Sequence, residues 1–424
     1  MHTLTQLIKN DMRPALGVTE PGAIAFAVST AKSYTKGDIE EVKVLLNSGM
    51  YKNAFTCGIP NSDRVGNIFS AALGAVAGNP QKGLESLEDV TEEDNCRAEE
   101  LVTQEKVKVI LDHIGSEITI DAKVKTTYDE CLVKIAGGHT EIYSIEKNGV
   151  VIFGKEKIVQ HEIEETAVIH QFTLRELLDY IEKVDETEIA FINDAFHMNL
   201  ELLEEGLQSS KTKFGPMLKR RNEERLISEN ELNTAQLLCN GAIEARVLGL
   251  SRPAMSITGS GAHGIIATMP LYAYQQIHKT KISTDKLLRA TALSYLITMY
   301  IKEYSGRLSA FCGCGIAAGT GMACGLCYLQ GGKEKEMSMV IQNMASGITG
   351  MICDGGNQGC TMKGIVAVDA AFRAVDAAME CICIDAVHGI NGKTPEETMK
   401  NMGRIASPGM VATEKTIVEI MQEK

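Results

Sequence analysis

The chain has 424 residues, enough for two or three domains, with 44% apolar residues, 5% aromatics and no Trp. Its net charge of −13 and pI near 5.3 argue against a nucleic-acid partner, and the acidic excess mainly serves solubility. Its 39 glycines and 19 methionines, beside plentiful Ala, suit helices that pack closely through small residues.

The N-terminal MHTLTQLIKNDM lacks the charged start, apolar run and cleavage site of a signal peptide. No apolar run reaches the roughly 20 residues that span a bilayer. A cytoplasmic protein with no membrane partner is expected. Its 12 cysteines should then be reduced and serve packing, metal binding or redox chemistry.

Residues 1–35 predict two helices around a break at Arg13–Pro21. From Glu40 to Lys157, EVKVLLNSG, KVKVIL, EITIDAKVKT, ECLVKIAGG, EIYSIEKNG and VVIFGKE alternate β-branched with polar residues, which predicts strands. GNIFSAALGAVAG (66–78) reads as a helix among them, and LESLEDVTEEDNCRAEEL as helical or solvated surface. After about residue 170, FTLRELLDYIEKV, NDAFHMNLELLEEGLQ, ELNTAQLLCNGAIEARVLGL, TDKLLRATALSYLITMYIKEY and KEMSMVIQNMASGI follow the helical period, with Thr173 and Asn193 as candidate N-caps. The fold class expected is α+β. Residues 1–168 form a mixed part with an antiparallel-rich sheet and carry VTEP, GIPN and GGHT. Residues 169–424 form a larger all-helical part with the cysteine motifs. The link near 158–171 has little Pro or Gly, so the two parts should be packed together.

The cysteines divide by context. Cys324 and Cys327 form a CxxC inside AAGTGMACGLCYLQGG, a small-residue helix, and read as core. Cys381 and Cys383, on an apolar helix, and the lone Cys57, Cys96, Cys131 and Cys239 read the same way. Cys312 and Cys314 in FCGCG, and Cys353 and Cys360 in ICDGGNQGC, sit instead in Gly-rich segments next to helix ends. There thiolates can turn inward and backbone N–H groups can reach them. Such soft donors suit zinc or an iron–sulfur cluster, with core packing as the alternative.

SGRLSAFCGCGIAAGTG together with GMICDGGNQGC resembles the L-cysteine desulfidase/L-serine dehydratase alpha-chain family, which includes proteins grouped as UPF0597. PALGVTEPGAIAFA, KNAFTCGIPNS, KIAGGHT and ITGSGAHGIIATMP fit the same pattern, so the likeness runs from residue 14 to 364. The resemblance implies a [4Fe–4S] cluster held by three cysteines, with one iron left open. By motif position the ligands are Cys353, Cys360 and Cys314, with Cys312 as the alternative to Cys314. It also implies β-elimination on a small L-amino acid: L-cysteine to pyruvate, ammonia and sulfide, or L-serine to pyruvate and ammonia.

The remaining candidates are polar. SITGSGAHG opens a helix, whose first N–H groups suit an anion; Gly259, Ser260 and Gly261 are the candidates for the substrate carboxylate. Arg307 can pair with a carboxylate or serve a structural ion pair. Thr19 and Glu20 precede a helix, and the resemblance draws both toward the active site. Asn61 is a substrate contact or a turn residue. His139 and His263 are candidate bases, alongside Glu20; a helix start keeps His263 neutral. Val18 stands where the family motif usually has Cys, and Ala262 and His263 replace its commoner Asn-Gln. These departures leave a second reading open: a family member that binds an amino acid, or regulates, without catalysis. A zinc protein using the same cysteines is a third. Small-residue helices and broad apolar faces are compatible with a homodimer.

Overall fold

The structure, a computed structural model, describes residues 2–156, 167–306 and 308–424. Most of the 158–171 link, and Arg307, lie outside the described residues. In chain order the strands are β1 (Arg13–Leu16), β2 (Ile39–Asn47), β3 (Val107–His113), β4 (Thr119–Thr126), β5 (Glu130–Ala136), β6 (Ile142–Lys147), β7 (Val150–Gly154) and β8 (Pro253–Ser256). β2 to β7 form one sheet in the order β3-β2-β4-β5-β6-β7, in which only the β2–β3 pair is parallel. The fold is α+β, with the sheet in the N-terminal part and helices filling the C-terminal half.

Alternation sets the sheet's register. Val42, Val44 and Leu46 of β2 stand opposite Val124, Ala122 and Ile120 of β4, which in turn face Cys131, Val133 and Ile135 of β5. All nine are buried, so a slip of one residue would turn an apolar set into water. Helices Thr19–Ser33 and Gly66–Val76 cover this face and complete the smaller core.

The larger core is helical. Helices Glu231–Val247, Gly261–Ile277, Thr284–Ser305 and Gly319–Leu329 are buried around most of their circumference. Small residues permit this: a Cβ at Gly321 would overlap the carbonyl oxygen of Ser294. Among the described residues, no helix is long and apolar enough to cross a membrane.

The N-terminal break has structure of its own. Helix Thr3–Asp11 packs Leu4 and Ile8 into the helical core, and β1 pairs antiparallel with β8, Leu16 opposite Pro253 and Arg13 opposite Ser256. This ribbon carries Val18–Glu20 to the start of the Gly261–Ile277 helix. Thr173 caps its helix with a full capping box. Asn193 does not: it is already helical, and its amide donates back to the Ala190 carbonyl. Three cysteines expected in the core lie outside it. Cys96 is exposed; Cys381 is exposed and Cys383 partly so, because helix Gly359–Met379 stops before them. There Cys381 takes a φ of 60° and the Ile382 N–H bonds back to the Ala377 carbonyl, a left-handed helix stop.

Candidate active site

Two Gly-rich segments lie side by side at the junction of the cores. Phe311 bridges Ile352; the Cys312 N–H donates to the Met351 carbonyl at 3.1 Å and the Cys353 N–H to the Ala310 carbonyl at 2.7 Å. Past Gly313 the chain makes a wide π-type turn, Cys314–Ala318, with the Ala318 N–H reaching the Gly313 carbonyl at 3.0 Å. Such turns recur at functional sites. Cys360 comes from the first turn of helix Gly359–Met379, its thiol 3.4 Å from the Gly355 carbonyl oxygen. Gly355 has a φ of 102°, and a Cβ there would overlap the Lys52 carbonyl, so only glycine fits. Beneath this loop Lys52 is fully buried and donates to Glu414 at 2.6 Å and to the Ser309 carbonyl at 3.0 Å.

Cys314, Cys353 and Cys360 line one cavity of about 740 Å³, mouth included, together with Glu20, Asn53, His139, Arg246, Gly259, Ser260, His263 and Lys302. Ser260 is extended, and no side chain caps the Gly261–Ile277 helix, so its first N–H groups are left for a ligand. Thr19 Oγ1 donates to the Gly259 carbonyl at 3.2 Å and ties the two helix starts together.

The polar groups are held in definite charge states. Glu20 is buried; its Oε1 accepts from Asn53 Nδ2 at 2.9 Å and lies 3.9 Å from His139 Nε2, an electrostatic contact too long for a hydrogen bond. Burial works to raise its pKa, but His139 and Asn53 outweigh burial and hold it at about 2. His263 Nδ1 lies 2.6 Å from Thr258 Oγ1, and a Cβ on Gly313 would stand 2.6 Å from Nε2, so glycine lets the imidazole rest on the cysteine turn. Burial, aided by Lys302 and Arg246, drives His263 well below its ordinary pKa and keeps it neutral.

The thiols separate. Burial raises Cys360 to about 11 and also raises Cys353. Cys314 rises well above the ordinary range, chiefly because it donates to Cys312. Cys312 goes the other way, downward: the neighbouring Cys314 thiol, with the Gly315 N–H at 3.4 Å, outweighs burial. Cys312 itself sits behind the turn and does not line the cavity.

Gly261 does not itself line the cavity: it sits between Ser260 and Ala262, which do, and packs over the Arg246 side chain. Asn61 stands apart: it has a φ of 57° and its amide donates to the Glu88 carbonyl at 2.6 Å, as a turn residue does. Asn53, Arg246, Lys302 and Ser309 also line the cavity and were not singled out from the sequence. For Arg246 and Lys302 a signal existed: each is the one cation, beside one Glu, in a largely apolar helical stretch, AIEARVLGL and ITMYIKEY.

The serine dehydratase alpha-chain profile matches residues 81–419. The chain belongs to this family. Relatives span essentially its whole length: a UPF0597 protein of Clostridium botulinum (strain Langeland) is 40% identical over 435 residues, covering 99% of this chain and 98% of that one. A UPF0597 protein of Caldanaerobacter subterraneus subsp. tengcongensis is 39% identical over 425 residues, with 99% and 98% covered. One from Clostridioides difficile (strain 630) is 35% identical over 423 residues, with 99% of both chains covered.

Proposed function

We propose that the protein is an iron–sulfur-dependent lyase that removes the β-substituent of a small L-amino acid, L-serine or L-cysteine, leaving pyruvate and ammonia. The observation that carries this is the meeting of three thiols, Cys314, Cys353 and Cys360, with Glu20, His139 and His263 around one cavity, in a member of the serine dehydratase alpha-chain family.

The donor set suits a cluster: three thiols, Cys314, Cys353 and Cys360, line one cavity. In a [4Fe–4S] cluster each thiolate binds a different iron, so thiols spread around a cavity suit it. Cys314, Cys353 and Cys360 would hold it, and when bound it would supply a Lewis acid at the iron lacking a protein thiolate.

The other residues bind the substrate and move its protons. Glu20, ionised at every working pH, suits the α-ammonium group. The first N–H groups of the Gly261–Ile277 helix suit the carboxylate. His263, neutral and fixed through Nδ1 by Thr258, is the first candidate to take the α-proton at Nε2; His139, with Glu20 beside it, is the second. Val18 brings the cavity no titrating group.

The test is anaerobic purification with iron and sulfide analysis, then pyruvate release from L-serine and L-cysteine. About four irons per chain and pyruvate from one of the two are expected. A colourless protein that stays inactive after iron–sulfide reconstitution overturns the reading. Val18, in place of the Cys that the family motif leads one to expect, favours the second reading: amino-acid binding without turnover, seen as thermal stabilisation without pyruvate.

A further inference from the structure

The cations around the cavity are not alike. Lys52 pairs with Glu414, Lys363 with Asp354, and Lys302 donates to the Gly306 carbonyl at 2.9 Å. Arg246 differs. It extends from helix Glu231–Val247, is 4% exposed, lines the cavity, and is in no ion pair or hydrogen bond with another described residue; its Nε is wholly buried and unpartnered. A guanidinium so deep with no paired carboxylate is destabilising, and a bound oxyanion would offset that cost.

The surroundings indicate which anion. Gly261 opens the next helix directly over Arg246: a Cβ on Gly261 would lie 2.6 Å from Nε. The uncapped first turn and the guanidinium therefore face one place, the two donor types that a planar oxyanion uses best. Glu20 lines the same cavity and carries a fixed negative charge. That disfavours a free dianion such as phosphate, and favours a ligand with one negative and one positive end.

We propose that Arg246 binds the α-carboxylate of the amino acid, together with the first N–H groups of the Gly261–Ile277 helix, while Glu20 takes the α-ammonium. The cavity then selects free α-amino acids over their amides and esters. This rests on the amino-acid reading above and adds to it the residue that recognises the carboxylate.

The test compares the parent protein with Arg246→Met and Arg246→Lys, using L-serine, L-cysteine and their carboxamides as probes. Thermal unfolding is followed with and without each probe, and KM and kcat are measured on the anaerobically prepared protein. The parent is expected to be stabilised by the free acids and not by the amides. Arg246→Met should unfold at the same temperature as the ligand-free parent or higher, because it removes an unpaired charge, and should lose the acid-induced shift. Its KM should rise about 30-fold or more, with a smaller change in kcat. Arg246→Lys should keep part of both. A merely structural arginine gives the opposite pattern: Arg246→Met unfolds earlier and still binds acids in preference to amides. That result overturns the proposal, as does a parent that treats acids and amides alike or responds to neither. A parent stabilised by the acids through Arg246 but releasing no pyruvate refutes the lyase reading and leaves this one standing.

Discussion

Two groups of cysteines lie a few residues apart in the chain and differ in almost every physical respect. Cys324 and Cys327 sit three residues apart on helix Gly319–Leu329, both fully buried; burial, aided by Glu336, raises Cys327 to about 12, and burial, aided by Cys327, drives Cys324 well above the ordinary thiol range. Cys312 is buried almost as deeply but is shifted downward, because it accepts from the Gly315 N–H and has the Cys314 thiol beside it. Depth does not separate the two groups. What separates them is the supply of donors from a glycine-rich turn and, beside that turn, a cavity lined by Cys314, Cys353 and Cys360. A CxxC on a continuous helix has neither.

Serine substitutions give the largest expected contrast. Cys353→Ser, Cys360→Ser or Cys314→Ser should each lower iron content and cut lyase activity by about 100-fold or more, whereas Cys324→Ala with Cys327→Ala should leave the iron in place. Iron analysis of the purified variants decides it, and loss of iron from the helix variant would erase the distinction.

Glu20 sharpens the comparison from the substrate side. Its folded-state pKa of about 2, against an ordinary 4.5, means that its contribution to stability is full above pH 4.5 and is lost as the pH falls through about 2. Glu20→Gln should therefore be less stable than the parent by up to about 3 kcal/mol at pH 7, with the gap closing toward pH 2. Denaturant unfolding at a series of pH values measures it, and kcat/KM should fall while iron content stays constant.

Cys324→Ala should cost only about 1 kcal/mol, the price of a small cavity in a tight core, read from the denaturation midpoint. The smallest effect belongs to Val18→Cys. If His263 or His139 takes the α-proton, a thiol there is superfluous and turnover should stay within about threefold of the parent. A much larger rise in pyruvate release would mean that position 18 is where this chain gave up its chemistry.

The sheet was legible because period-two alternation is a local signal: all six runs from EVKVLLNSG to VVIFGKE became strands β2 to β7. The helices were legible for the same reason. β1 and β8 were not, since four-residue strands such as RPAL and PAMS are defined only by each other, 240 residues apart. The helix stop at Cys381 was hidden because a cysteine, not a glycine, takes the left-handed conformation. In the cavity, the loops that supply thiols and N–H groups were visible as glycine-rich punctuation. Asn53 was not; Arg246 and Lys302 stood out only as cations in apolar stretches, because the periodicity of a helix does not say which of its faces meets a cavity.

The buried Lys52–Glu414 pair gives the far end of the chain a say in the thiol loop. Helix Val411–Gln422 holds the carboxylate that neutralises Lys52, and the Lys52 carbonyl is the floor on which Gly355 rests. Strip that last helix away and an ammonium ion is stranded in a dry interior, directly under two would-be ligands. The tail thus works as a keystone, and trimming it or tagging it tightly would be felt first in the thiol loop and, under the cluster reading proposed above, as lost iron.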